Sequence, residues 1–265
     1  MLVNSVIIVL REVLEAALMI SVLLAVSQPL RISARWLRTG LFAGLVGAVT
    51  YGLFINPISE LFEGVGQEVL NALLQFGVFA VLALVAFLIA RQRAEPCENA
   101  SLLPTVMALA IALAVTREGS EIMVFVSGFL QVSGFLSSVG LGSFAGAAIG
   151  CSVGVLFYYF LLSLSERRTL QISLVLLTLA ASGMAAQATG LLIQADWINI
   201  SGALWDTSAI VAEDSLPGQL LYALIGYEAT PSAIEVMMYA ASIAVMAVAV
   251  FAGFMVSRSK MDDSQ

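Results

Sequence analysis

Histidine is absent from the 265 residues, and lysine occurs once, as Lys260. The first absence removes His-ligated zinc or haem, imidazole general bases and His proton relays. The second, with no Gly-rich stretch ending in Lys-Ser or Lys-Thr, removes a Walker-type nucleotide site. Cysteine occurs only as Cys97 and Cys151, in separate segments and without a Cys-x-x-Cys. Neither a disulfide nor a thiolate metal site is expected. Charge of either sign is scarce, at 11% of residues, and its balance is −7. That balance argues against nucleic acid and leaves cations as partners. What the chain has in excess is apolar residues, 60% of the total, with a mean hydropathy of +1.01. A soluble domain is about 45–50% apolar and about 25% charged. The composition therefore reads as an integral protein of the lipid bilayer. Its apolar runs are continuous rather than alternating over ten residues, which argues against a transmembrane barrel.

Seven spanning helices are expected, near Val3–Val26, Thr39–Asn56, Val69–Ala90, Met107–Leu130, Leu141–Leu162, Leu170–Ile193 and Ala233–Val256. Pro29, Pro57, Pro104 and Pro231 fall in connections near their ends. The first span lacks a basic leader and carries Arg11, Glu12 and Glu15, so it reads as a span rather than a signal peptide. Arg31, Arg35, Arg38, Arg91, Arg93, Arg167, Arg168, Arg258 and Lys260 all lie after odd-numbered spans, and the connections after even-numbered spans have none. Positive-inside bias then predicts an external N-terminus and a cytoplasmic C-terminus.

The chain repeats itself. Arg11-Glu12-x-x-Glu15 recurs as Arg117-Glu118-x-x-Glu121, an offset of 106, and Ser21-x-x-Leu24-x-Val26-Ser27 recurs as Ser127-x-x-Leu130-x-Val132-Ser133. Gly40-x-Phe42-Ala43-Gly44 is matched by Gly142-x-Phe144-Ala145-Gly146. Each copy spans three helices, an odd number, so the second enters from the opposite side. The expected fold is all-α and polytopic: a 3+3 inverted-topology repeat plus a seventh helix, with a site at the repeat interface near the midplane. As one transmembrane domain (1–265), it divides into repeat one (1–95), repeat two (101–193), an external acidic segment (194–232), helix seven (233–256) and a cytoplasmic tail (257–265).

Both motifs reach the midplane, about ten residues or roughly 15 Å into their helices. Within each, Arg and the second Glu are i,i+4 and the two Glu i,i+3, so all three project from one face. Six unpaired ions at that depth cost roughly 15–21 kcal/mol on insertion scales. They must therefore face one another and water or an ion. Glu12, Glu15, Glu118 and Glu121 against Arg11 and Arg117 leave a formal −2, which a bound cation neutralises. Four carboxylates without His or Cys make a hard, all-oxygen site, suited to Fe(III), Mn, Mg or Ca rather than Cu(I). The arginines keep the carboxylates ionised and oriented. A purely structural reading makes them a lock between helices 1 and 4; duplication of an acid-excess motif favours function.

Two Arg-Glu-x-x-Glu motifs, in helices 1 and 4 of seven, resemble the high-affinity iron permeases of fungi and bacteria, the oxidase-dependent ferric and the ferrous-iron types. The similarity extends to about Val256. It takes in Glu60-Leu61-Phe62-Glu63-Gly64, Gly226-Tyr227, Pro231-Ser232 and Glu235-Val236. The family usually has Gly-Leu between the motif acids, where this chain has Val13-Leu14 and Gly119-Ser120. The resemblance implies iron import across a bacterial inner (plasma) membrane, with iron as transported substrate and no permanently bound cofactor. It also implies a separate external protein that oxidises or delivers iron. Glu12, Glu15, Glu118 and Glu121 become permeation ligands, supported by Arg11 and Arg117.

Expected external connections carry acids and no bases. Glu60, Glu63, Glu68, Asp206, Glu228 and Glu235 are candidates for an entrance site, with Asp196, Glu213 and Asp214 nearby. One-sign charge raises local cation concentration at a pore mouth. Trp197, Trp205, Tyr222 and Tyr227 are expected as interfacial anchors, and Leu216–Ile225 as an interfacial or re-entrant helix. Competing readings are a carrier of another divalent metal or a proton-coupled solute, a non-transporting scaffold, and an intramembrane carboxylate–metal enzyme. The last needs Glu plus Glu-x-x-His, which a chain without histidine lacks; no enzyme activity is expected.

Overall fold

The computed structural model describes residues 2–94, 102–129, 136–199 and 202–262. Cys97, the expected boundary between the repeats, and the Leu130-x-Val132-Ser133 end of the second copy lie outside the described residues. So do the side chains of Arg93, Arg258 and Lys260. Among the described residues the regular structure is helical, with one isolated bridge between Ala203 and Ser232. In chain order come α1 (Leu2–Ser27), α2 (Arg35–Leu53), α3 (Ile55–Ser59), a 3-10 turn (Leu61–Gly64), α4 (Gly66–Ala94) and α5 (Leu102–Ser127). Then follow α6 (Leu136–Leu162), α7 (Glu166–Gln194), α8 (Leu216–Ile225) and α9 (Ala233–Asp262).

Among the described residues four helical segments are long and apolar enough to cross a membrane: Gly66–Gln92, Ser137–Leu162, Glu166–Gln194 and Ala233–Val256. The chain is a polytopic membrane protein. α1 and α5 each hold three ionisable residues within an otherwise apolar run, and α2 opens with Arg35 and Arg38. Pro104 sits in the first turn of α5 rather than in a connection, and Pro57 lies inside α3. The first turn has backbone N–H groups to spare, so proline costs little there.

The helices form one bundle with an acidic end, where α1, α4 and α9 begin and α2, α5 and α7 finish, and a basic end holding Arg31, Arg35, Arg167 and Arg168. α1 packs most extensively on α6, and α2 on α5. Both seams run through glycines. A Cβ at Gly44 would lie 2.6 Å from Val115 Cβ, and one at Gly154 would lie 2.7 Å from Ala17 Cβ. Small residues let backbones approach where lipid offers no hydrophobic drive between helices. The seams correspond residue by residue. Gly40 on Ala108 matches Gly142 on Leu2; Gly44 on Ala112 matches Gly146 on Val6; Gly52 on Met123 matches Gly154 on Ala17. Where α6 has Gly150 against Val13, α2 has Ala48 against Gly119, so the small residue changes sides. The two residues that separate the motif acids differently thus pack on neighbouring helices.

α8 enters the bundle from the acidic end. The Ser215 side chain caps it by accepting from Gly218 N at 3.1 Å. Gly226 ends it with a left-handed φ of 66°, donating its N–H to Tyr222 O at 2.8 Å. Gly226 packs on Gly183 so closely that neither admits a Cβ. That contact lies roughly 16 Å along α7 from its C-terminus, at 1.5 Å per residue, so α8 is the re-entrant alternative rather than an interfacial one. Irregular backbone at such depth persists only inside protein. Here Tyr239 donates to Ile225 O at 2.7 Å and the Glu213 carboxylate accepts from Ala229 N at 2.6 Å.

Candidate functional site

The two motifs meet where α1 packs on α5. Arg117 is the hub. Its Nη1 lies 2.5 Å from Glu118, 3.3 Å from Glu15 and 3.8 Å from Glu12, and its Nη2 lies 3.1 Å from Glu121. One oxygen each from Glu12, Glu15 and Glu118 lie within 4.8 Å of one another, and all three residues are buried. Oxygens Glu12 Oε2, Glu15 Oε1 and Glu118 Oε1 accept no hydrogen bond. One guanidinium cannot neutralise three carboxylates, and a buried charge left short of partners is costly. A multivalent cation accepted by these oxygens removes that cost, and the donor set is of the hard type.

The four expected ligands are not equivalent. The Glu121 side chain is 33% exposed and stands apart from the other three on the acidic-end side. Arg11 is also displaced from the expected pairing. It approaches only Glu15, at 3.6 Å, while its guanidinium lies 4.0 Å from the centre of the Tyr222 ring on α8. Tyr222 is therefore a partner of the first motif rather than an interfacial anchor. Tyr227 is half-buried, its hydroxyl 2.7 Å from Thr207 Oγ1 and donating to Val211 O at 3.0 Å. Trp197 and Trp205 are exposed, and Trp197 meets Phe62 edge-on at 5.5 Å.

Above the cluster a cavity of about 320 Å³ opens toward the acidic end, lined by Glu12, Gln67, Glu68, Asn71, Glu121 and Gln194 among others. Of the acids expected at an entrance, Glu68 lines it. Glu60 and Glu63 are exposed, and left-handed backbone at Phe62 and Glu63 keeps them off a common helical face. Asp206 is exposed and accepts from Ser208 N and Oγ, which holds its carboxyl below the usual range. Glu228 and Glu235 line a separate cavity of about 310 Å³ with Trp205 and Tyr227. Glu235 also caps α9, accepting from Ser232 N at 2.7 Å while its own N–H donates to Ser232 Oγ. Glu12, Glu15, Glu118 and Glu121 are absent from the lining of a 910 Å³ cavity at the basic end, around Arg31, Arg35 and Trp36.

Sequence reasoning missed Asn71, Gln75, Gln187 and Tyr51. Gln75 donates across the bundle to Gln187 Oε1 at 3.0 Å, and Tyr51 is buried with its hydroxyl unpartnered. Glu68, Asn71 and Gln75 recur at i, i+3 and i+7, a polar stripe on an otherwise apolar span. That spacing was the available signal.

The model of the Iron permease FTR1 family matches residues 2–262. The chain is 28% identical over 249 residues, 86% of its length, to the ferrous iron permease EfeU of Escherichia coli O6:H1 (strain CFT073), 88% of which is covered. It is 26% identical over 252 residues, 88% of its length, to ferrous iron permease EfeU of Yersinia pestis, covering 87% of that protein. No solved structure matches the chain.

Proposed function

This chain belongs to the iron permease FTR1 family, and on that premise we propose that it imports iron through the midplane carboxylates Glu12, Glu15, Glu118 and Glu121. As an integral membrane permease it is a transporter and not an enzyme. The observation that carries the route is the convergence of Glu12, Glu15 and Glu118 oxygens within 4.8 Å, with acceptors that no protein donor satisfies. Arg117 gathers the acids, and the ion takes over the lone pairs that Arg117 leaves.

The architecture in this reading is seven spans: α1, α2, α4, α5, α6, α7 and α9, with α1–α4 and α5–α7 as inverted repeats. The matched seams of α1 on α6 and α2 on α5 support it, since a two-fold relation between the repeats requires reciprocal pairs. The acidic end faces outside and the basic end the cytoplasm, in a bacterial inner membrane like that of the relatives' hosts. An external protein that oxidises or delivers iron would meet the acidic end. Cysteines introduced near Asn56 and Asp214 should react with an impermeant thiol reagent on intact cells. Labelling of a cysteine near Arg93 would reverse the orientation.

No ATPase is needed. An inside-negative potential of 100 mV supplies about 2.3 kcal/mol per charge, or about 7 kcal/mol for a trivalent ion. The deciding experiment is iron uptake into proteoliposomes, normalised to folded protein. Glu15→Gln and Glu118→Gln should each lose most uptake, and the double variant little more, because groups of one site are not additive. Near-normal uptake in both singles removes these acids from the route.

A further inference from the structure

We propose that the acidic-end cavity holds a second cation site, formed by Glu68 and Asn71 of α4 with Glu121 of α5, that an entering ion occupies before the core cluster. The proposal rests on the iron-permease reading and adds a station to it.

The cavity is polar in an unusual place. α4 is apolar enough to span the bilayer, yet its acidic-end half directs Glu68 and Asn71 into this space from one face. Glu68 Oε2 and Asn71 Oδ1 are buried atoms without a hydrogen-bond partner, and one turn deeper Gln75 Oε1 is a third. Three unpartnered oxygens along one stripe are a costly arrangement for packing alone, since each forfeits its solvation.

One buried group on another helix points the same way. Glu12 is 5% exposed, lines the cavity, and has Oε2 free of hydrogen bonds, its nearest cationic group being Arg117 at 3.8 Å. Oxygens of four residues, Glu12 of α1, Glu68 and Asn71 of α4 and Glu121 of α5, thus line one volume whose lining contains no lysine or arginine.

The chemistry selects a hard di- or trivalent cation that is still partly hydrated. The volume of about 320 Å³ is on the order of ten waters at about 30 Å³ each. Glu121 links the two stations: Arg117 engages its Oε1, while the carboxylate also lines the cavity. Passing an ion between neighbouring sites lets each bind well enough to admit it and weakly enough to release it.

The test uses the purified full-length chain and radiolabelled ferrous iron kept reduced by ascorbate. In proteoliposomes Glu68→Gln should raise the apparent KM for uptake about five- to tenfold, with the maximal rate within about twofold of the parent. Asn71→Asp, which adds a carboxylate to the site, should lower KM severalfold. A gain of affinity cannot arise from misfolding, so this variant stands even if Glu68→Gln folds poorly. Equilibrium binding separates this site from the core: Glu15→Gln should retain one bound ion per chain, and Glu15→Gln with Glu68→Gln none. KM unchanged in both α4 variants, or no ion retained by folded Glu15→Gln, overturns the second site. Normal uptake by Glu15→Gln would instead overturn the core route and leave the α4 result to stand or fall by itself.

Discussion

Arg117 reaches four carboxylates from a side chain only 7% exposed, whereas Arg11, its counterpart 106 positions earlier, approaches one carboxylate and rests on Tyr222 with 42% of its side chain exposed. Their local sequences are nearly the same, so the difference comes from what surrounds them. α8 follows α7, and among the described residues no such helix stands between α4 and α5. It packs against α1 and supplies the aromatic face that draws Arg11 aside. A duplicated sequence therefore does not guarantee duplicated roles. One added re-entrant element is enough to make one arginine central and the other peripheral.

The largest effect should separate the two arginines. Arg117→Gln leaves buried carboxylates without their cation and should cost about 3–5 kcal/mol. Arg11→Gln, half exposed, should cost about 1 kcal/mol or less. Thermal unfolding of both purified variants measures this, and equal losses would abolish the distinction. Next in size is the packing difference between the copies. Gly119→Val places a branched side chain against Ala48 and should cost about 1–3 kcal/mol. Adding Ala48→Gly, which reproduces the Val13–Gly150 arrangement, should restore most of it. A variant that Ala48→Gly does not rescue would show that the seams are not interchangeable.

The α8 side of the comparison can be sharpened by pH. Burial holds the Glu228 carboxyl at about 7, with Glu235 and Glu213 adding to the rise and Arg11 opposing it. Between about 4.5 and 7 the folded chain keeps a proton there that the unfolded chain has released. Stability contributed by this group is therefore lost as pH rises through that window, by no more than about 1.4 kcal/mol per pH unit. Glu228→Gln should flatten that decline in a melting-temperature series; an unchanged slope assigns it to other groups. The smallest effect belongs to the aromatic contact. Tyr222→Leu should cost about 0.5–2 kcal/mol, the range for a cation over a ring, and that loss should vanish when Arg11 is already Gln. A full loss in the Arg11→Gln background would mean that Tyr222 acts through packing alone.

The all-helical membrane character and the buried charged motifs were legible in the sequence because charge inside a long apolar run is conspicuous. Helix ends were less so. α2 and α5 begin earlier than hydropathy suggests, at Arg35 and Leu102, because polar ends and a first-turn proline are compatible with helix but not with an apolar window. The asymmetry of Arg11 and Arg117 was invisible, since it depends on a tertiary contact with α8. Neutral polar residues escaped for another reason. Asn71, Gln75 and Tyr51 carry no charge to draw attention, and their importance lies in what does not bond to them. Glu235 carried a second signal: Ser232-x-x-Glu235 is a capping pattern, and the acid caps α9 as well as lining a cavity with Glu228.

Arg117 also bears on which ions can stay. In the proposed route a guanidinium fixed by its own backbone within 3.8 Å of four carboxylates is a permanent rival for the charge of those acids, present at a local concentration that no dissolved salt matches. Sodium or potassium brings the single charge that Arg117 already offers, without the tether, and gains nothing by competing. A di- or trivalent ion brings more charge to the same acids than its rival does. If iron takes the proposed route, selectivity by valence follows from a residue that never has to touch the ion.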